Sequence, residues 1–357
     1  MRILLLTDSF KEGGAERVAS LIVKGLIDQG HEVHLCIFIN ENNYGIDSSK
    51  VTLHLLSPKQ YPYALNVFVR MKNLAKTIKR VKPQVIYSFG PIMASYVVIA
   101  SKLANMREHI KIVSSERNDP RQEPASNLKK IVRDLCYSRS DVVVCQTSMA
   151  VELLKSRGIK TDFVIIPNPI SPELPIWEGK NSKNIITAAR LTEQKNLPLL
   201  INAFYRIHRD YPDYRLVIYG EGPLRNQLET IIRELNLTDV VTMPGFAKDI
   251  HHIMAKSFMY VSSSDYEGIS NSMLEALGIG LPCVCTDCPV GGAAMYINNG
   301  YTGLLTKVGD EDALYMAMKK LIDEPGLCQS LSAESVNIKT KLSLDKITQM
   351  WVNLIKQ

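Results

Sequence analysis

The sequence has no long hydrophobic run, and this absence excludes a membrane-spanning protein. None of its apolar segments approaches the roughly 20 consecutive residues that a membrane-spanning helix needs. The first apolar run ends at Leu6, which is too short for a signal peptide, and no small-residue cleavage site follows it. This run therefore predicts a buried first strand, and we expect a cytoplasmic protein.

Metal-ligand and dinucleotide signatures are also missing. The seven cysteines are scattered, and although Cys283, Cys285 and Cys288 cluster, no fourth ligand stands at zinc-finger spacing. The pair Gly13-Gly14 does not belong to a Gly-x-Gly-x-x-Gly pattern, so a nicotinamide site is not indicated. We expect reduced thiols, no metal and no cofactor.

The composition is that of an ordinary soluble globular protein, but the charge is uneven. The 357 residues are 46% hydrophobic and 22% charged, which suggests two domains or one large one. Residues 1–167 hold 24 Lys and Arg against 15 Asp and Glu, a net charge of +9. Residues 168–357 hold 18 against 21, a net charge of −3. The first half is therefore expected to face an anionic partner.

Strand and helix patterns alternate along both halves of the chain. In the first half, a strand at Ile3–Leu6 precedes a helical pattern at Glu16–Gln29, which ends at Gly30. The alternation stops in the proline-rich residues 168–184 and then restarts. We predict an N-terminal Rossmann-like domain at 1–167, a linker at 168–184, a nucleotide-sugar-binding Rossmann-like domain at 185–341, and a C-terminal helix at 342–357 that returns to the first domain.

The stretch from Glu267 to Glu275 is the most informative motif. It follows an apolar strand pattern, and a helix is predicted to begin near Ser270. The start of a helix suits a phosphate, whereas carboxylates suit the hydroxyl groups of a ribose or a hexose. One loop that offers both kinds of partner indicates a sugar nucleotide, although each glutamate alone also fits a solvated surface residue.

Other motifs follow predicted strands on the same rim. Arg190 and Lys195 stand five residues apart, as cations that clamp a diphosphate would, or as part of a solvated loop. Glycine turns follow two further strands, at Gly220-Glu-Gly222 and at Pro244-Gly245-Phe246. Gly13-Gly14 follows the first strand, where it permits close approach to a ligand or simply forms a tight turn.

In this order and spacing, the motifs resemble glycosyltransferase family 4, a group of retaining GT-B enzymes. The blocks that carry the resemblance are Gly13-Gly14-x-Glu16, Arg190 to Asn196, Gly220-x-Gly222, Pro244-Gly245-Phe246, Ser264 to Glu275, and Gly303-Leu-Leu305. The resemblance implies an α/β fold of the GT-B type, with two Rossmann-like domains facing each other across a cleft. It also implies metal-independent transfer of a hexose or N-acetylhexosamine from a UDP-sugar.

The resemblance implies roles for individual residues. Arg190 and Lys195 would neutralise the leaving diphosphate, and Glu267 would hold the donor sugar close to the reacting carbon. Glu275 would hold the ribose, and the loop at Gly245-Phe246 would receive the base. The remaining donor-binding candidates are Gly13, Gly14, Gly220, Gly268, Ile269, Ser270 and Asn271.

The chain departs from the family pattern after one strand of the first half. Family members often carry a histidine near the donor sugar there, and this chain has Arg117. Arg117 and Glu16 are candidates for the acceptor or sugar side. The segment Asp310-Glu-Asp312 resembles an Asp-x-Asp metal-binding motif. Acidic residues at the start of a helix are favoured by the helix dipole alone, so no metal site is expected there.

The acceptor is expected to be lipid-linked or a surface polysaccharide, because the pattern is similar to bacterial transferases that act on undecaprenyl-diphosphate glycans. The basic helical pattern at 70–82, with Leu74, Ile78 and Val81 on one face, either rests on an anionic membrane or packs on the sheet. If this helix rests on an anionic membrane, the protein is expected on the inner face of the cytoplasmic membrane as a peripheral protein. No nucleic-acid partner is expected. A sugar-nucleotide epimerase of the same fold and a non-catalytic binding subunit are the alternatives.

Overall fold

The computed structural model describes residues 1–11, 13–57 and 62–356. The chain divides into two compact units. The first unit comprises Met1–Pro169 and Leu344–Gln357, and the second comprises Ile170–Ser343. Each unit is built on its own parallel sheet.

The first unit alternates strands and helices. Its elements are β1 (Arg2–Leu6), α1 (Gly14–Asp28), β2 (Glu32–Ile37), β3 (Thr52–Leu55), α2 (Tyr63–Val81), β4 (Val85–Phe89), α3 (Pro91–Leu103), β5 (Lys111–Ser115), α4 (Asn127–Tyr137), β6 (Val142–Cys145), α5 (Ser148–Ser156) and β7 (Asp162–Ile165). The seven strands lie in the order β3-β2-β1-β4-β5-β6-β7. Helices cover both faces of a sheet of this kind, so β1 and β4 are almost wholly apolar and buried.

The second unit repeats the same plan. Its elements are β8 (Asn184–Ala188), α6 (Leu197–Asp210), β9 (Arg215–Tyr219), α7 (Arg225–Glu234), β10 (Val241–Gly245), α8 (Ile250–Ala255), β11 (Met259–Ser262), α9 (Asn271–Ile279), β12 (Cys283–Thr286), β13 (Leu304–Thr306), α10 (Glu311–Asp323), α11 (Pro325–Ser335) and α12 (Ile338–Lys341). Its six strands lie in the order β10-β9-β8-β11-β12-β13. The predicted α/β class with two Rossmann-like halves is confirmed.

The proline-rich stretch between the two sheets is packed rather than extended into solvent. From Ile170 onward it belongs to the second unit. The backbone N–H of Trp177 donates to the carbonyl of Ile279, and that of Glu178 donates to the carbonyl of Ala255. The Trp177 indole N–H donates to the carbonyl of Ser257 at 2.9 Å. These bonds fix the chain path that leads into β8.

The basic helix predicted at 70–82 lies within α2, and its apolar stripe is covered by protein. Leu74 and Ile78 are fully buried, and Val81 is nearly so. Leu74 and Ile78 pack in the same core cluster as Leu4 and Ile86 of the sheet. Of the two accounts of this helix, the structure therefore favours packing on the sheet, and the stripe is not a membrane contact. No helix among the described residues is both long and apolar enough to cross a membrane.

A further helix of the first unit, α13 (Leu344–Lys356), packs against α1. Trp351 of α13 is fully buried, and its ring lies 5.2 Å from Tyr87 and 5.3 Å from Phe89 between ring centroids. The Tyr87 hydroxyl donates to the Trp351 carbonyl at 2.9 Å. A Cβ atom at Gly25 of α1 would lie only 2.1 Å from Oγ1 of Thr348, so a side chain there would separate the two helices.

We expect Trp351→Ala to destabilise the first unit by about 3–5 kcal/mol, because it removes a large buried ring from a packed aromatic cluster. Urea titration of the intact protein measures the change in the free energy of unfolding. Asn353→Ala, at an exposed position of the same helix, is the control and should change stability by no more than about 0.5 kcal/mol. Equal effects of the two substitutions would contradict the packing role of Trp351.

Candidate active site

The strand order of the second sheet marks the place where a ligand is expected. Neighbouring strands β8 and β11 lie at the point where the order reverses. In open parallel sheets, ligands bind beyond the carboxyl ends of the strands at such a point. The loop after β8 carries Arg190 and Lys195, and the loop after β11 carries Glu267. The predicted catalytic residues of this unit therefore share one sheet position.

Lys195 and Glu267 are in direct contact. The Lys195 ammonium donates to Oε1 of the Glu267 carboxylate, and both side chains are mostly buried. The same oxygen accepts a 3.0 Å hydrogen bond from the Ser264 hydroxyl, and Oε2 accepts a 3.2 Å bond from the Gln194 amide. Each carboxylate oxygen thus has a protein donor, and the ammonium keeps N–H groups for a ligand.

The two loops are joined by several more hydrogen bonds. The Gln194 amide also donates to the carbonyl of Tyr266 at 2.8 Å, and the Asn196 amide donates to the Asp265 carboxylate at 2.8 Å. The Ser263 hydroxyl donates to the carbonyl of Lys195 at 2.9 Å. Such bonds on both sides of Lys195 and Glu267 fix where the two charges lie.

The backbone at Glu267 is held by a neighbouring segment as well. Its N–H donates to the carbonyl of Pro289 at 2.8 Å, and its carbonyl accepts from the N–H of Val290 at 3.0 Å. Close packing continues at Gly292, where a Cβ atom would lie 1.8 Å from the carbonyl oxygen of Gly268. A side chain at Gly292 would therefore displace the loop that carries Glu267.

Arg190 differs from Lys195 in having no side-chain partner in the part of the chain that the structure describes. Its side chain is exposed at the end of β8. Within the residues that the structure describes, its guanidinium makes no hydrogen bond or ion pair. An exposed fork of N–H donors, on the same loop as an anchored ammonium, suits an anionic group with several oxygens.

Close backbone packing explains the glycines after β9 and β10. Gly220 has a φ of 129°, and a Cβ atom there would lie 2.0 Å from the carbonyl oxygen of Ala189. At Gly222 the corresponding atom would lie 2.3 Å from the carbonyl of Leu191. Gly220 and Gly222 therefore hold the loop that carries Arg190 against the loop after β9.

Gly245 ends β10 with a φ of 89°. It turns the chain so that the side chain of Phe246 is 42% exposed. The structure thus leaves an aromatic ring accessible where the sequence predicted that the base would bind.

The predicted helix start near Ser270 is observed. The Ser270 hydroxyl accepts from the N–H of Met273 and caps α9, which begins at Asn271. Ile269 and Gly268 are buried just before it. The side chain of Glu275 is 10% exposed, and its Oε2 lies 3.0 Å from Nε2 of His251, within ion-pair distance although not aligned as a hydrogen bond.

In the first sheet, the order reverses between β1 and β4. Gly13, after β1, is held by Tyr44: the Gly13 N–H donates to the Tyr44 hydroxyl, which donates to the Gly13 carbonyl, both at 3.0 Å. Gly14 begins α1, and Glu16 lies in its first turn. Tyr44 therefore fixes the backbone at Gly13, directly before the start of α1.

Arg117 follows β5, and its guanidinium is poorly satisfied. Its Nη2 donates to the side-chain oxygen of Asn168, which also accepts from the Gln146 amide at 2.6 Å. Its Nε and Nη1 atoms are buried and have no hydrogen-bond partner among the residues that the structure describes. Burial lowers the pKa of Arg117 to about 10, against the opposing effect of Glu116, so the side chain keeps its charge at neutral pH.

The neighbouring Glu116 is a buried carboxyl inside a polar cluster. It accepts from the N–H of Arg117 at 3.0 Å and from the Tyr137 hydroxyl at 3.3 Å. The Arg133 guanidinium lies 3.8 Å away and is itself fully buried. Among the described residues, Glu116 contacts the backbone N–H of Arg117 and the Arg133 guanidinium, and no ion pair joins it to the Arg117 guanidinium.

The Asp310-Glu-Asp312 segment forms a helix start. Asp310 caps α10 by accepting from the N–H of Ala313 at 2.9 Å. Glu311 and Asp312 both lie within ion-pair distance of Arg206.

The seven cysteines are free and buried. An open cavity of about 720 Å³ lies beside Arg107 and Asp141, and none of the predicted site residues lines it.

Sequence reasoning missed the residues that position the predicted ones. They are Tyr44, Gln146, Asn168, Gln194, His251 and Gly292. Gln194 stood beside Lys195 and was a visible candidate. The others lie far in sequence from the groups they hold, so no local spacing indicated them.

Two family profiles match consecutive parts of the chain. The profile described as Glycosyltransferase Family 4 matches residues 12–174. The profile described as Glycosyl transferases group 1 matches residues 176–337. Together the two matches cover nearly the whole chain.

Two curated relatives match at low identity over most of their length. An N-acetylgalactosamine-N,N'-diacetylbacillosaminyl-diphospho-undecaprenol 4-alpha-N-acetylgalactosaminyltransferase of Campylobacter jejuni is 26% identical over 339 residues, which is 89% of each chain. An uncharacterised glycosyltransferase of Methanocaldococcus jannaschii is 26% identical over 330 residues, which is 82% of this chain and 80% of the relative.

Solved structures resemble the whole chain. Anabaena HepE in complex with UDP and glucose has a TM-score of 0.88 at 18% identity, covering 100% of this chain and 99% of that one. A structure of TarM from S. aureus has a TM-score of 0.84 at 14% identity, covering 100% of both chains. The predicted GT-B fold class is thereby confirmed.

The buried carboxyl of Glu116 predicts a pH dependence of stability. Burial raises its pKa to about 7, with Arg133 opposing the rise, against an ordinary value of 4.5. Between these values the folded protein holds a proton that the unfolded chain has released, so the stability contributed by this group falls as the pH rises. Relative to the native protein, Glu116→Gln should therefore gain stability as the pH rises.

Urea titrations at about pH 5 and about pH 8 measure this change as the difference in the free energy of unfolding between Glu116→Gln and the native protein. Glu152→Gln, on α5 of the same unit, is the control. If the difference between Glu116→Gln and the native protein were the same at both pH values, Glu116 would not titrate as described.

Proposed function

The chain belongs to the group 1 glycosyltransferases of family 4, and we propose that it transfers a hexose or an N-acetylhexosamine from a UDP-sugar, with retention of configuration, to a lipid-linked or surface-polysaccharide acceptor. The observation that carries the proposal is the arrangement at the switch point of the second sheet. Lys195 and Glu267 are in direct contact there, and Arg190, on the same loop as Lys195, has an exposed guanidinium with no partner among the described residues.

The two cations fit a diphosphate leaving group. Transfer of a sugar from a nucleotide leaves negative charge on the phosphate oxygens, and fixed positive charge stabilises that transition state. Arg190 supplies an unpaired fork of N–H groups, and Lys195 supplies an ammonium whose position is set by Glu267. Catalysis then rests on positioning and electrostatics, and no metal is needed in this proposal.

Glu267 is suited to hold the donor sugar. Its carboxylate is ionic, fixed by Ser264, Gln194 and Lys195, and carried by a backbone that is bonded on both sides. A carboxylate can accept further hydrogen bonds from sugar hydroxyls, because it has more lone pairs than these donors use. We propose that Gly268, Ile269, Ser270 and Asn271 present the start of α9 to the phosphate and sugar, and that Glu275 holds the ribose.

The relatives support the proposed donor and acceptor classes. UDP is the nucleotide in the HepE complex, and the Campylobacter relative is named for an undecaprenol-diphosphate acceptor. The alpha linkage in that relative's name is the outcome that retention gives from an alpha-linked donor. We place the reaction at the inner face of the cytoplasmic membrane, where a lipid-linked acceptor would be reached.

In the first unit, Arg117 has N–H groups that are available to bind a substrate. Two of its buried nitrogen atoms lack partners, and an unsatisfied buried charge is costly to keep unless a ligand completes it. We propose that Arg117 binds an oxygen of the donor or acceptor. The roles of Gly13, Gly14 and Glu16 stay predictions.

The experiment that tests the proposal is UDP release from a panel of UDP-sugars, with and without a lipid-linked acceptor. Release that depends on the acceptor supports transfer. Isomerised sugar without an acceptor would indicate the epimerase, and UDP binding with no turnover would indicate a non-catalytic subunit.

Glu267→Gln should lower kcat by about 100-fold or more. It removes the negative charge that holds the Lys195 ammonium in place, and it removes a contact to the donor sugar. Binding of UDP, which lacks the sugar, should weaken by a much smaller factor than kcat falls, because only the contact through Lys195 is disturbed, and calorimetry measures it. Glu193→Gln is the matched control, because Glu193 is an exposed carboxylate two residues from Lys195. Normal transfer by Glu267→Gln would show that this carboxylate has no part in the reaction.

Arg117→Gln should lower kcat/KM at least about tenfold, the loss expected for one charge-assisted contact. The melting temperature should not fall, because the substitution removes a charge with two buried nitrogen atoms that have no hydrogen bond among the described residues, while an amide can still donate to Asn168. Arg139→Gln, at an exposed position of the same unit, is the control. A loss of stability without a loss of transfer would make Arg117 a structural residue only.

A further inference from the structure

Exposed apolar side chains are concentrated on three neighbouring helices of the first unit. Of the 19 large hydrophobic residues that the described structure leaves exposed, nine lie on α2, α3 and α4. They are Leu65, Phe68, Ile92, Ile99, Leu103, Leu128, Ile131, Val132 and Leu135. Helix α3 packs against both α2 and α4, so the three helices form one continuous surface.

Helix α4 contributes the densest part of this surface. Leu128, Ile131, Val132 and Leu135 have the spacing i, i+3, i+4 and i+7, which places them on one side of the helix. Their exposures run from 38% to 70%. The opposite side of α4 is buried through Cys136 and Tyr137. A four-residue aliphatic stripe on the outside of a helix is unusual for a protein surface that contacts only water.

The same three helices carry an excess of positive charge. Their sequences contain nine Lys and Arg residues and one acidic residue, Asp134. Asp134 is itself neutralised, since it lies within 2.8 Å of Arg133 and within 2.6 Å of Arg157. Lys72, Lys102 and Lys129 are exposed among the apolar side chains.

The excess of positive charge on these helices is confined to one face of the sheet. The connections that hold α2, α3 and α4 run in one direction along the strand order, whereas the connection through α1 runs in the other. Right-handed crossovers therefore place α1 on the opposite face, where α13 packs against it. Together α1 and α13 carry four basic and three acidic residues. The positive charge is thus a property of the α2–α3–α4 face rather than of the whole unit.

We propose that the α2–α3–α4 face docks on an anionic lipid bilayer, with the stripe on α4 entering the interface between headgroups and acyl chains. Aliphatic side chains surrounded by lysines are what such an interface takes. A second copy of the chain fits less well, because a two-fold dimer would bring two strongly basic faces together. The contact differs from the one expected at 70–82, since Leu74, Ile78 and Val81 are buried and the exposed stripe is elsewhere.

This inference extends the proposed function, because an enzyme with a lipid-linked acceptor must reach a bilayer. Vesicle binding is measured without any sugar transfer, so each can fail while the other holds. Bound protein without acceptor-dependent UDP release would leave the docking surface standing and remove the transferase proposal. Transfer to a lipid-linked acceptor in detergent, without vesicle binding, would support the transferase proposal and overturn the docking surface.

The test is flotation of the full chain with vesicles of phosphatidylglycerol and phosphatidylcholine, compared with vesicles of phosphatidylcholine alone. The native protein should float with the anionic vesicles. Ile131→Asp should lower the partition coefficient at least about tenfold, since a charge replaces a side chain that enters the apolar boundary. Lys102→Gln/Lys129→Gln should weaken binding and reduce its dependence on salt.

Matched controls come from the second unit. Met316 is 56% exposed and Ile131 is 54% exposed, so Met316→Asp makes the same change at similar exposure. It should float like the native protein, as should Lys320→Gln. The proposal is overturned if the native protein does not float, or if Ile131→Asp floats equally well. It is also overturned if sedimentation shows a dimer that Ile131→Asp splits and that does not bind vesicles.

Discussion

The contact between Lys195 and Glu267 joins the loop after β8 to the loop after β11, and the proposed chemistry depends on this contact. Parallel strands buried on both faces leave polar side chains only at strand ends. At the carboxyl ends of these two neighbouring strands, a lysine and a glutamate neutralise each other in a mostly buried setting. Ser264 and Gln194 also donate to the carboxylate. These added hydrogen bonds help to offset the cost of burying the two charges, and the ammonium and the carboxylate both keep capacity to bind a ligand.

Arg190 and Arg117 have guanidinium groups that the described part of the protein does not fully satisfy. Arg107, Arg121 and Arg225 each have a carboxylate partner, as is usual for arginine in a folded protein. Arg190 has an exposed guanidinium with no partner among the described residues, and Arg117 has two buried nitrogen atoms without one. Folding alone gains little from either arrangement. In the proposed function, an anionic or hydroxylated substrate would bind the free N–H groups of both arginines.

The fold and the polar loops could be predicted from the sequence because both leave local signals. Alternating apolar strands and amphipathic helices indicated two Rossmann-like halves, and glycines at strand ends indicated turns such as the one at Gly220. The partners of these residues could not be predicted, since Asn168 lies 51 positions from Arg117 and His251 meets Glu275 only through the packing of α8 on α9. The apolar stripe of α2 was visible in the sequence, but which stripe is buried is decided by packing.

Helix α4 connects the two properties that the first unit adds to the proposed function. Its outer side presents the aliphatic stripe, and its inner side supplies Arg133 and Tyr137 to the Glu116 carboxyl. Glu116 in turn accepts from the backbone N–H of Arg117. Arg133 also donates to two carbonyls of the loop that precedes the helix and follows Arg117. In the proposed docking, these bonds tie the loop that carries Arg117 to the helix that contacts the bilayer.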